Sequence, residues 1–507
     1  MRRSLLAACT AATALLAPLP LAMASPAAHA GTGSKEPWVV RTAVLRTNAK
    51  QYADLCDKQK DGVPEFRTFP LFRGQRGITA ERDYYRKDTD GTVYWEGHDP
   101  KKPQDTVSLN IIGLCAKGPV TLDGVIEIGT KDYLFSPLPK RPGEYRLQEI
   151  DTTKLPPSGH PGDTVTLPRS QRSESEQRAP KADPSHPVAI DVIVPYTPAA
   201  VTELGGVAEV QARIRYGVSQ INKALAASHV PASVHVVHSY ETPPSGVPNE
   251  NANTMLNKLN NPGDQTLGAP AHVNRELYGA DLVALLASIP IQNSSGSANL
   301  PLPVTSQTGE AAYSVTSVLS VKDWDNLGHE IGHNLGLRHD RQTVATNGEL
   351  PPPGPHDVNF GWITADHKYH TLMAYSTPCQ PTCRVINQYS NTFNVTPDGE
   401  ALGNSSNNNA AVAQIATPLV SAYRASKVTN RHNLTLSVSP GGGGSVSVSE
   451  YGPYDPGTQV TVTARAAAGY TFAGWEVDGV RQSDPTTAYE ITVNANHSIV
   501  AIFHPST

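Results

Sequence analysis

The eleven residues His329-Glu330-Ile331-Gly332-His333-Asn334-Leu335-Gly336-Leu337-Arg338-His339 bring three imidazoles and a carboxylate to a spacing that suits zinc chemistry. On an α-helix, side chains four apart share a face, so His329 and His333 can aim ring nitrogens at one ion. Glu330, one step around the helix, reaches water held at the metal rather than the metal itself. Gly336 can adopt the positive φ that ends a helix and folds the chain back, which lets His339 come in as the third ligand. Three protein ligands leave a fourth position for water, which marks a catalytic rather than a structural zinc site. The chemistry expected is hydrolysis, with Glu330 as general base.

The surrounding sequence indicates the elements that must hold these groups. Leu327, Ile331 and Leu335 at i, i+4 and i+8 give the zinc helix an apolar stripe beside its ligands, as a buried helix requires. Upstream, the β-branched run 188–194 suits a buried strand, and 233–238, 281–287 and 312–318 read as further strands. Residues 198–227 read as one helix, with Ile214, Val218, Ile221 and Leu225 on a single face. Strands interleaved with helices predict an α/β sheet flanked by helices.

The pattern His329-Glu330-x-x-His333-x-x-Gly336-x-x-His339-Asp340 resembles the zinc signature of metzincin peptidases, and the Asp after the third His resembles the reprolysin (adamalysin) branch. The resemblance covers residues 188–425 and implies a mixed sheet, an active-site helix, one catalytic Zn2+ and a protein or peptide substrate. It also implies a Met-turn, matched by Thr371-Leu372-Met373-Ala374-Tyr375, in which Met373 floors the zinc histidines. Tyr375 is similar to a tyrosine of the astacin and serralysin branches that can reach the zinc; a switchable ligand and a packed neighbour are both open. Gly296, Ser297 and Ala298, followed by Asn299 and Leu300, correspond to an edge strand lining the cleft. An exposed edge there would hold an extended peptide as an added strand. The sequence leaves structural calcium open.

At 507 residues the chain exceeds one hydrophobic core, so two to four domains are expected. A net charge of −5 argues against nucleic-acid or polybasic membrane binding. Residues 1–30 read as a signal peptide, with Arg2 and Arg3 before an Ala/Leu-rich stretch and Ala28-His29-Ala30 at the cleavage end. No other stretch approaches the roughly 20 apolar residues of a membrane span. The expectation is a secreted, extracellular protein. Residues 31–150 break into short strands at 107–115, 124–129 and 133–138, a β-rich region whose order of residues resembles a reprolysin-type propeptide. Residues 151–187 have linker composition, and Arg169, Arg172, Arg178 and Lys181 make them a candidate activation region for a zymogen.

Once Cys9 leaves with the signal, four cysteines remain. Cys379 and Cys383 suit a small disulfide loop beside the Met-turn, since no further metal ligands have usable spacing nearby. Cys56 and Cys115 suit either a disulfide or a cysteine switch in which a thiolate caps the zinc. Residues 433–507 are β-branched runs separated by Gly and Pro turns, a small all-β module. The stretch Ala468-Gly469-Tyr470-Thr471-Phe472-Ala473-Gly474-Trp475 resembles a divergent internalin-type B repeat. Its aromatics read as core more than as a surface for a cell-surface or extracellular ligand. His356 and His367 read as exposed loop residues. The chain lacks Gly-x-Ser-x-Gly and P-loop motifs. The reading is a secreted zinc endopeptidase made as a zymogen. Its alternative is a non-catalytic or narrow-target surface-binding protein acting through the C-terminal module.

Overall fold

The computed structural model describes residues 37–506 except 57–65, 89, 139, 155–163, 169–170, 178–180, 291–293, 324, 355, 377–378, 380–382 and 484–485. The expected signal segment, Arg169 and Arg178 therefore lie outside the described residues. Among the described residues no helix is long and apolar enough to cross a membrane.

The N-terminal region is an eight-stranded antiparallel sheet. Its chain runs as a meander from Phe66–Phe69 to Glu144–Asp151, and the first strand, Val39–Arg46, pairs with the last. One face closes on Phe69, Trp95, Leu109, Phe135 and Leu147. Cys56 and Cys115 are joined in a disulfide. Neither thiol is then available to cap a metal, which removes the cysteine-switch alternative. Bridging residues 59 apart removes loop entropy from the unfolded chain, about 4 kcal/mol on a chain-entropy account.

The central region is built on a mixed six-stranded sheet. Val188–Tyr196 pairs parallel with Ala232–Glu241 on one side and with Leu282–Ala287 on the other, and Tyr313–Ser317 extends the parallel set. Gly296–Leu300 follows, antiparallel to Tyr313–Ser317. The single helix expected over 198–227 is two helices, Pro198–Leu204 and Val207–Ala227. The break falls at Gly205 and Gly206, both at positive φ that other residues rarely adopt. The longer helix packs through Ile214, Ile221 and Leu225 into the same core as Leu327 and Ile331 of the zinc helix.

The N-terminal region joins this core. Tyr84 and Tyr94 belong to it, and the Tyr94 ring meets Tyr216 edge-on at 6.0 Å. Asp123 is buried between Arg213 Nη2 at 2.8 Å and Lys322 Nζ at 2.9 Å. Burial pushes the Asp123 carboxyl up, but the two cations outweigh it and hold the carboxyl below its usual range.

The C-terminal module consists of a four-stranded and a three-stranded sheet over its own core, with Trp475 fully buried and Tyr470 and Phe472 packed against it. The aromatics are thus core residues. They do not form an exposed binding surface.

Candidate active site

The zinc helix is Asn326–Asn334, and every one of its residues is buried. It ends as the sequence requires: Gly336 takes φ +79° and its N–H bonds the His333 carbonyl. The returning chain places His339 against the helix. The Nε2 atom of His329 lies 3.0 Å from that of His333 and 3.2 Å from that of His339. Three imidazole nitrogens around a tetrahedral zinc at its usual bond length would stand about 3.3 Å apart. The residues therefore fit the ion.

Each ring also has its far nitrogen engaged. His329 Nδ1 donates to the Leu372 carbonyl at 2.8 Å, His333 Nδ1 to the Leu337 carbonyl at 2.8 Å, and His339 Nδ1 to the Glu349 carboxylate at 2.5 Å. These bonds set the tautomer, so each Nε2 lone pair faces the common point. Burial, reinforced by His339, pushes the His329 pKa down to about 3 and that of His333 well below its usual value. Both rings are neutral near pH 7, the form a metal binds.

Glu330 is fully buried, and Asn326 Nδ2, one turn earlier on the same face, donates to its Oε1 at 3.1 Å. Asn326 also donates to the Ser295 carbonyl at 2.8 Å. It was missed in the sequence, although i, i−4 spacing from Glu330 was the available signal. Glu349 was missed too; it lies ten residues past His339 and returns through a helix.

Met373 is buried beneath the zinc helix, and a Cβ at Gly332 would overlap its Sδ. The Gly inside the His-Glu-x-x-His run is what admits the methionine. Asp340 accepts the Tyr375 N–H at 3.2 Å and so ties the third histidine to this turn. The Tyr375 ring sits 4.3 Å from His339 and 5.7 Å from His329. Its hydroxyl is buried without a hydrogen-bond partner among the described residues. Cys379 and Cys383 are disulfide-bonded just beyond it. His356 and His367 do not join the cluster.

Gly296, Ser297 and Ala298 run beside Glu330: a Cβ at Gly296 would overlap Glu330 Oε1. The strand is not an exposed edge, however. Thr164–Thr166 of the expected linker pairs with it in parallel, Ala298 opposite Thr164 and Leu300 opposite Thr166. Leu167 N–H continues the ladder to the Leu300 carbonyl at 3.0 Å, and Arg172 Nε donates to the Val304 carbonyl at 3.0 Å. The Ser306 N–H bonds Glu176 at 2.6 Å and is the main cause that draws its carboxyl down to about 2. The unpaired groups of an edge recruit any extended segment within reach, and here the chain supplies its own.

Residues 187–425 match the family described as Metallo-peptidase family M12B Reprolysin-like. The chain carries a reprolysin-like metallopeptidase domain. Residues 434–507 match the Divergent InlB B-repeat domain, so the β module downstream of the reprolysin-like domain is of that type. A Peptidyl-Asp metalloendopeptidase of Pseudomonas aeruginosa is 26% identical over 205 residues, 37% of this chain and 32% of that protein. The chain thus spans about a third of the length of this curated relative. Among solved structures, a chain of a chaperone-substrate complex has TM-score 0.36 at 17% identity, covering 47% of this chain and 36% of its own. Metalloproteinase-II from Bacteroides fragilis has TM-score 0.32 at 13% identity, covering 54% and 82%. Likenesses this low add nothing to the assignment.

Proposed function

We propose that the chain is a secreted zinc-dependent endopeptidase made in latent form. The convergence of three imidazoles beside the buried Glu330 carboxylate carries this reading. His329, His333 and His339 would hold the zinc, which when bound supplies a Lewis acid that acidifies water and polarises a peptide carbonyl. Glu330, steadied by Asn326, takes the proton of the attacking water and delivers it to the leaving amine. The Tyr375 ring packs on two of the histidines and its hydroxyl is buried without a partner among the described residues; in this reading it donates to developing oxyanion charge. The reading takes signal-directed export from residues 1–30.

Latency is supported by the Thr164–Thr166 strand, which pairs along Ala298, Asn299 and Leu300 and so uses edge groups that an extended substrate would need. Lys181 and residues 183–186, just before Val188, are exposed and suit an activating cut.

Glu330→Gln should retain zinc and lose peptide hydrolysis by about 10²–10⁴-fold; full activity would rule out Glu330 as the base. Val165→Pro takes away a strand N–H and should raise casein hydrolysis by the uncut chain. Unchanged low activity in that variant would remove the strand from the latency mechanism.

A further inference from the structure

The three zinc-facing histidines are not held alike. His329 and His333 stand on one helix and donate their Nδ1 protons to backbone carbonyls that their own fold fixes. His339 lies beyond the Gly336 turn, outside that helix, and its Nδ1 donates to a side chain, Glu349 Oε1, at 2.5 Å. The two side chains are 0% and 9% exposed.

A short structural unit returns Glu349 to the histidine. Asp340 caps the helix Arg341–Asn347 by accepting the Thr343 N–H at 2.9 Å. Gly348, at φ +64°, ends that helix, and the Glu349 N–H bonds back to the Val344 carbonyl at 3.0 Å. From outside, Thr166 Oγ1 donates to the Leu350 carbonyl at 2.7 Å. The second carboxylate oxygen, Oε2, is buried without a hydrogen-bond partner among the described residues. A buried carboxylate so lightly compensated is costly by itself, whereas a dication on the far side of the imidazole would supply the missing charge.

The geometry points to Glu349 as a positioning residue for the zinc: it fixes the tautomer and orientation of His339 and adds a negative charge behind that ligand. This rests on the zinc reading above. The two helical histidines need no such support, because their backbone already sets their spacing. The carboxylate falls on the one ligand that the helix does not carry.

The test is zinc affinity of the full chain, by competition with a chromophoric chelator, for wild type, Glu349→Gln and Glu349→Ala, with visible spectra of the cobalt-substituted proteins. Glu349→Ala should bind zinc about 10–100-fold more weakly and show an altered cobalt spectrum. Glu349→Gln, which keeps an acceptor but loses the charge, should fall between Ala and wild type. Both variants within about twofold of wild type, with unchanged spectra, would overturn the role while leaving the zinc reading intact. Should the Ala variant fail to fold, the isosteric Gln variant decides: weakened binding supports the role and wild-type affinity overturns it. A wild-type chain that binds no zinc would overturn the role and the zinc reading together.

Discussion

The N-terminal region and the C-terminal module both dock on the helix Val207–Ala227, yet only the first enters the core of the reprolysin-like domain. Tyr84 and Tyr94 pack inside that core, and Asp123 is sealed between Arg213 and Lys322 with all three nearly inaccessible. Lys322 also donates to the Phe135 carbonyl at 2.6 Å, just ahead of the zinc helix. Beyond the Met-turn, Arg384 Nη1 donates to the Gln104 carbonyl at 2.9 Å. The N-terminal region therefore grips the chain on both sides of the candidate site. The C-terminal module keeps a separate core and makes polar contacts: Asn222 to Glu450, His235 to Asp455, and Arg431 to Asp191 and Asp455. Asp455 is half exposed. A neighbour that shares a core stabilises its host through apolar burial as well as sealed charge, whereas one with a separate core relies on its polar pairs, of which Arg431–Asp191 is buried and the others are partly exposed.

Three changes test this contrast, taken in order of decreasing effect. Deleting residues 37–151 should leave the reprolysin-like domain aggregated or without a cooperative melt, whereas deleting 433–507 should leave it folded. Calorimetry on the two truncations reads this directly, and equal behaviour would erase the distinction. Asp123→Ala removes the carboxylate that buried Arg213 and Lys322 share and should destabilise the full chain by about 3–5 kcal/mol in a urea titration. A loss below about 1 kcal/mol would place that cluster in water instead. Arg431→Ala should cost only about 1–3 kcal/mol, because Ser426 still donates to Asp191 at 2.6 Å. A loss as large as that of Asp123→Ala would make the two docking modes alike.

The features legible in the sequence are those encoded over short separations. The zinc helix, its Gly336 stop and the three histidines follow from spacing along one helix and one turn. Strand existence followed from β-branched runs, with ends shifted by one to a few residues, as for Val188–Tyr196 against the expected 188–194. The Gly205-Gly206 pair could have signalled the helix break, but the apolar spacing beyond it dominated the reading. The linker strand was hidden for another reason. Thr164–Thr166 is three residues in a polar stretch, and it is a strand only because the edge Gly296–Leu300 lies beside it in space. Docking through Tyr94 and Asp123 likewise depends on partners about 90 to 200 residues away in sequence. Glu349 sits between these cases. The Asp340 cap, Thr343 and Gly348 describe a two-turn helix that reverses the chain, but the reach back to His339 requires the three-dimensional path.

The most direct test of a latent zinc endopeptidase is zinc content measured together with casein hydrolysis, on the full chain before and after limited proteolysis upstream of Val188. One zinc per chain is expected in both forms, with hydrolysis appearing after the cut and absent throughout in Glu330→Gln. A chain that holds no zinc, or that hydrolyses casein equally before and after the cut, would contradict it.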